Sequence, residues 1–160
     1  MARAALSLAI SGAFLLAGCG LISKDFEVAQ AFQAGGAPRF SGSINSTTLT
    51  GPLSGDVSKI SSITLKAARI EATDGLDLSF ISDANISASA GNNILPTALL
   101  AKLAAPPPAG ATSVELAITP KELKPYLQTN GTINAGINYA PTPVTARALR
   151  LVLTIHGSLF

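Results

Sequence analysis

Near the C-terminus the chain reads Leu149-Arg150-Leu151-Val152-Leu153-Thr154-Ile155-His156, and this stretch decides the fold. Leu149, Leu151, Leu153 and Ile155 share one parity, and Arg150, Thr154 and His156 share the other. An apolar residue at every second position turns one face of a β-strand into a core and leaves the other to water. A helix would space its apolar residues three and four apart, so this stretch reads as a strand.

The same period recurs upstream. Ile133, Ala135, Ile137 and Tyr139 alternate with Thr132, Asn134, Gly136 and Asn138, and Val114, Leu116 and Ile118 form another alternating run. Ala84, Ile86, Ala88 and Ala90 interleave with Asn85, Ser87 and Ser89; Leu76, Leu78 and Phe80 interleave with Asp77 and Ser79. Ile63, Leu65 and Ala67 keep one parity, whereas Ala68, Ile70 and Ala72 take the other. One extra residue near Ala67-Ala68, a β-bulge, accounts for that switch. Leu95 to Leu103 fits a strand or a short helix, the strand matching its neighbours better. Phe26, Val28 and Ala31 read as a first strand, with a helical turn over Asp25 to Gln33 as the alternative. Residues 39–58, rich in Ser, Thr and Gly, read as short edge strands and loops.

Between these runs stand turn formers: Gly35-Gly36-Ala37-Pro38, Asp74-Gly75, Gly91-Asn92-Asn93, Thr129-Asn130-Gly131 and the extended Ala105 to Gly110 segment with its three prolines. Pro120 to Leu127 reads as a short helical turn, with Pro120 near its start and Pro125 limiting its length. About seven short strands separated by turns predict an all-β fold, a single β-sandwich of antiparallel strands over residues 26–160. The last two strands are expected to form a hairpin around Pro141-Thr142-Pro143.

Composition narrows the function. Charged residues make up 12% of the chain and hydrophobic ones 48%, with net charge +2, so nothing steers a nucleic acid or a strongly charged partner. Trp is absent and only Phe and Tyr supply aromatic rings, at 5% of the chain, too few for a surface that stacks sugars or bases. The single cysteine, Cys19, excludes an internal disulfide.

The N-terminus carries an address. Arg3 precedes an apolar run from Ala4 to Ala17, fourteen residues broken by Ser7, Ser11 and Gly12. As a helix that run reaches about 21 Å, short of the roughly 30 Å hydrocarbon core of a bilayer, so it reads as a secretory signal segment. It closes on Leu16-Ala17-Gly18-Cys19, which resembles the lipobox of bacterial lipoprotein signal peptides. The resemblance implies removal of residues 1–18, diacylglycerol on the Cys19 thiol and acylation of the new amino terminus. Residues 19–25 then form a short lipidated tether ahead of the sandwich. Several acyl chains at about 0.8 kcal/mol per buried CH₂ anchor a protein stably. Gly20, in place of the Asp that favours inner-membrane retention, leans toward the outer membrane. Asp77-Leu78-Ser79-Phe80-Ile81 and Glu122-Leu123-Lys124-Pro125-Tyr126 are similar to segments of small predicted bacterial lipoproteins. That resemblance implies an immunoglobulin-like or late-embryogenesis-abundant-type sandwich and carries no assigned activity.

Candidate chemistry outside the lipobox is sparse. His156, the only histidine, shares the solvent parity of its strand; as a general base it needs an orienting carboxylate and a nucleophile beside it. Asp74, Asp77 and Asp83 invite a calcium reading but match no calcium loop, and are expected as turn and surface carboxylates. Asn45, Asn85 and Asn130 head glycosylation sequons that are chance matches beside a bacterial lipobox. Lys121, Lys124 and Tyr126 read either as a patch against lipid headgroups or as a capped turn crossing one end of the sandwich. No catalytic residue, metal ligand or cofactor is expected. The sequence thus predicts a non-catalytic, membrane-anchored module acting on an unknown envelope protein, or alternatively a carrier of a lipid or other apolar ligand.

Overall fold

The computed structural model of the chain describes residues 22–50 and 60–159. Leu16, Ala17, Gly18 and Cys19, and the signal segment with them, lie outside the described residues. The described residues form nine strands and two short helices, in order: β1 (Ile22–Ala34), β2 (Arg39–Asn45), α1 (Ser46–Thr50), β3 (Ile60–Ala72), β4 (Ile81–Ser89), β5 (Ala98–Lys102), β6 (Ser113–Glu115), β7 (Ala117–Ile118), α2 (Lys124–Leu127), β8 (Thr132–Tyr139) and β9 (Arg147–Leu159). Two antiparallel sheets, ordered β1-β9-β3-β6 and β2-β8-β4-β5-β7, make an all-β sandwich.

The stretch that begins at Leu149 is the centre of the first sheet. β9 pairs with β1 from Ile22↔Leu159 to Ala34↔Arg147 on one side, and with β3 from Ile60↔Leu159 to Ala72↔Leu149 on the other. Its apolar parity points inward, and Leu149, Leu151, Leu153 and Ile155 are all buried. Facing them from the second sheet are Ile133, Ala135 and Ile137 of β8 and Ala84, Ile86 and Ala88 of β4, also buried. Each leucine or isoleucine side chain so enclosed stabilises the fold by roughly 1.5–3 kcal/mol before chain entropy is subtracted. The parity switch in β3 is the expected bulge: its register against β9 shifts between Leu65 and Ala67. Ile63 and Leu65 before it, and Ala68 and Ile70 after it, are buried.

Among the described residues the sandwich has nine strands rather than about seven, partly because one apolar run is divided. Val114 lies in β6 and Ile118 in β7, which belong to opposite sheets. Buried Leu116 sits at the crossing, its amide donating to the Ala68 carbonyl at 2.8 Å. The opposite side is joined by the turn from β1 to β2, where Phe32 stacks on Phe40 with ring centroids 4.2 Å apart. Phe40 reaches that position by lying over Gly42, where a Cβ would meet its ring at 2.6 Å.

Four other expectations are corrected. β8 and β9 form no hairpin around Pro141 and Pro143, because they belong to different sheets and the link between them crosses from one to the other. Leu76, Leu78 and Phe80 are not a strand: Leu78 and Phe80 are buried, but Leu76 is 55% exposed and the segment is a loop held by Asx turns. Asp74 Oδ1 accepts from the Leu76 amide at 3.0 Å, and Asp77 Oδ1 accepts from the Ser79 amide. The helical turn begins at Lys124 rather than near Pro120, and Pro125 stands in its first turn, where its missing N–H is harmless. β1 is longer than its three apolar markers indicate. It starts at Ile22, so residues 22–25 of the expected tether belong to the sheet, and Phe32 and Ala34 rather than Ala31 continue its buried face.

Candidate functional site

Ile22, Leu159 and Ile60 meet at one end of the sandwich, where β1 enters and β9 leaves. α2 sits at this end, since Leu123 N donates to Ile63 O at 2.8 Å and Glu122 bridges to Thr64. Burial pushes the Glu122 carboxyl up, but hydrogen bonds from Ser62 (2.7 Å) and the Ile63 (2.9 Å) and Lys124 (3.0 Å) amides outweigh it and hold the group below its ordinary value. Lys121 is exposed, whereas Tyr126 is buried at 4% and donates its hydroxyl to Pro96 O at 3.0 Å. Tyr126 is therefore a core residue of the turn that crosses the end of the sandwich, and no part of a headgroup patch.

His156 lies on the outer face of the first sheet, as its parity implies, but it is not alone. Register places Asp25, His156 and Thr64 in one row across β1, β9 and β3. His156 Nδ1 donates to Asp25 Oδ1 at 2.6 Å, and Lys66 Nζ donates to the other oxygen of the same carboxylate. The Lys66 and then the His156 hydrogen bonds hold Asp25 below the usual carboxylate range. The orienting acid that a general base requires is thus present. No hydrogen bond joins His156 to Thr64, and the Asp25 and His156 side chains are 39% and 38% exposed. The rest of the face continues the same pattern. Arg69 bonds Glu27 at 3.0 Å and Glu71 at 2.6 Å, and Arg150 Nε donates to Glu71 at 3.0 Å. Arg150 first, then Arg69, draws the Glu71 carboxyl down. Half-exposed pairs of this kind contribute little stability each, and together they cancel the charge of the face.

Asp74, Asp77 and Asp83 do not converge. Asp74 holds Arg147 Nε at 2.8 Å and Nη2 at 3.3 Å; Asp77 caps its own turn and accepts from the Gly110 amide; Asp83 accepts from Asn138 at 3.2 Å. Among the described residues no group of three or more His, Cys, Asp or Glu side chains is placed to hold a metal ion.

The outer face of the second sheet is of another kind. Register across β2, β8 and β4 builds four rows: Arg39-Asn138-Asp83, Ser41-Gly136-Asn85, Ser43-Asn134-Ser87 and Asn45-Thr132-Ser89. At the centre is buried Gly136, where a Cβ would stand 2.7 Å from Arg39 Nη2 and 3.2 Å from Asn85 Oδ1. The Arg39 side chain therefore leans across β8 into the notch that the missing side chain leaves. Arg39, Ser41, Ser43, Asn85, Ser87 and Asn134 line a depression of about 290 Å³ there, with Gly42, Ala135 and Gly136. Asn134 is fixed within it, donating to Ser89 Oγ at 3.0 Å and accepting from Thr132 at 3.2 Å. This site was not apparent from the sequence. The polar parity of Asn85, Ser87, Asn134 and Gly136 is visible there, but nothing in it shows that β2 brings Arg39 alongside β8.

No protein-family model matches the chain, and comparison with curated proteins finds no match either.

Proposed function

We propose that the chain is a lipid-anchored protein of the bacterial cell envelope whose β-sandwich is a non-catalytic interaction module held close to its membrane. The observation that supports this best is the start of β1. Ile22 stands three positions after Cys19 and is already paired with Leu159, and the strand stays paired with β9 to its other end at Ala34. Three extended residues span only about 10 Å. A lipid on Cys19 thus passes almost directly into a strand of the sheet, and the end of the sandwich bearing Ile22, Leu159 and α2 faces the bilayer. Gly20 favours the outer membrane as the place of residence.

The depression on the second sheet does not suit an apolar cargo. It is polar and lies on the outer face of a sheet, while the space between the sheets is filled by side chains such as Ile63, Ile86, Ile137 and Leu151 that are 0% exposed. Fractionation tests the anchor. Wild-type chain expressed with its own N-terminus is expected in the membrane fraction, and Cys19→Ser in the soluble fraction or unprocessed. A Cys19→Ser chain that is processed and still membrane-bound would contradict the reading.

A further inference from the structure

The two outer faces of the sandwich treat charge differently, and the difference is local to Arg39. On the first sheet the cations Lys66, Arg69 and Arg150 each lie against a carboxylate. On the second sheet Arg39 has no ion pair or hydrogen bond among the described residues. The acid nearest to it in register, Asp83, is two strands away and engaged by Asn138. The side chains of Ser41, Ser43, Asn85 and Ser87 likewise have no hydrogen-bond partner among the described residues, although all four line the same depression.

We propose that this depression binds a small hydroxylated oxyanion, a sugar acid or a sugar phosphate, with the oxyanion on Arg39 and the ligand hydroxyls on Ser41, Ser43, Asn85 and Ser87. A planar guanidinium matches a carboxylate or phosphate through two parallel N–H donors, and here it is free to do so. The Gly136 notch keeps it low on the sheet, so that an anion seated on it also reaches the side chains of the neighbouring rows. Those neighbours are neutral groups that both donate and accept, which is what a ring of hydroxyls requires.

The surroundings exclude the other occupants. Protein interfaces are centred on apolar and aromatic anchors, and the lining here offers none. A nucleic-acid backbone calls for several cations, and this face presents one in its lining. About 290 Å³ is at the lower end of ligand-site volumes, suited to one sugar unit rather than a long chain.

Titration of the full-length chain in detergent micelles, followed by backbone amide shifts and calorimetry, tests the proposal with four probes: galacturonate, glucose 6-phosphate, glucose and inorganic phosphate. Saturable binding of galacturonate or glucose 6-phosphate, with shifts centred on Ser41, Asn85 and Gly136, is the expected result; whichever binds more tightly identifies the oxyanion as carboxylate or phosphate. Arg39→Ala is expected to weaken that binding about ten-fold or more at unchanged melting temperature. Gly136→Ala, which displaces the guanidinium, is expected to weaken it as well. Binding of neither anionic sugar, glucose or inorganic phosphate binding as well as they do, or binding indifferent to Arg39→Ala would each overturn the proposal. None of these readouts depends on Cys19, so failure here and failure of the anchor are separate outcomes.

Discussion

Arg147, at the start of β9, closes on Asp74 in the loop after β3, with Nε 2.8 Å and Nη2 3.3 Å from the two carboxylate oxygens. The same guanidinium donates to Asp77 O at 3.0 Å and lies 5.0 Å from the centre of the Phe80 ring. Arg147 therefore ties three points of the loop between Ala72 and Ile81, alongside the loop's Asx turns. The hydrogen bond from Arg147 lowers the Asp74 carboxyl from 3.8 to about 2.

A carboxyl whose folded value is depressed stabilises the fold above its ordinary value and loses that contribution as pH falls through the folded value. The Asp74 contribution is thus complete at neutral pH, declines below about 3.8 and is gone below about 2. Asp74→Asn is expected to lower stability at neutral pH by on the order of 1 kcal/mol, because the pair is partly open to water. Urea unfolding of wild type and variant across the acid range checks this: the gap between them should close toward the acid end. A gap constant across that range would show that Arg147 is not the cause.

Two buried tyrosines make opposite predictions. The Tyr139 hydroxyl is buried with no hydrogen-bond partner among the described residues, and burial pushes its phenol far above the ordinary range. The Tyr126 hydroxyl donates to Pro96 O at 3.0 Å. Removing an unpaired buried hydroxyl relieves a desolvation penalty, whereas removing a paired one strands its acceptor. Tyr139→Phe is expected to leave the urea midpoint unchanged or raised, and Tyr126→Phe to cost about 1 kcal/mol. The reverse order would contradict both assignments.

Gly131 follows α2, where its amide donates to Tyr126 O at 3.0 Å. A Cβ there would stand 2.4 Å from Ser89 O and 2.5 Å from Tyr126 O, both backbone atoms that cannot step aside. Gly131→Ala is expected to destabilise by about 2 kcal/mol or more through this overpacking alone. Gly36 provides the contrast, with φ +74° and open space around it. Gly36→Ala is expected to cost only the roughly 1 kcal/mol of a left-handed backbone. Thermal unfolding of the two variants separates the effects, and equal losses would argue against the close approach at Gly131.

Much of the fold was legible because its strands are half-buried and so alternate. β9, β8, β4 and the bulge in β3 all stand where parity puts them. Parity does not report which sheet a residue enters. Val114, Leu116 and Ile118 keep an unbroken period although the chain changes sheets at Leu116. Leu78 and Phe80 keep it although a loop, tied by Asp74 and Asp77, buries them. A polar residue in a core position hides a strand just as well. Gln30 lies on the inner parity of β1 opposite Leu151, between buried Val28 and Phe32, and ended the apparent run too soon. The Asp25–His156 pair and the Arg39 depression were illegible for a related reason. Each joins residues far apart in sequence, and only the pairing of β1 with β9 and of β2 with β8 brings them together.

The lipid proposed on Cys19 would hold the sandwich by the near end of β1. Intact-mass spectrometry of wild-type chain extracted from bacterial membranes measures this directly. The predicted result is a chain beginning at Cys19 and heavier than residues 19–160 by a diacylglycerol and an additional acyl group. A membrane-extracted chain that retains residues 1–18, or that begins at Cys19 with no added mass, would contradict it.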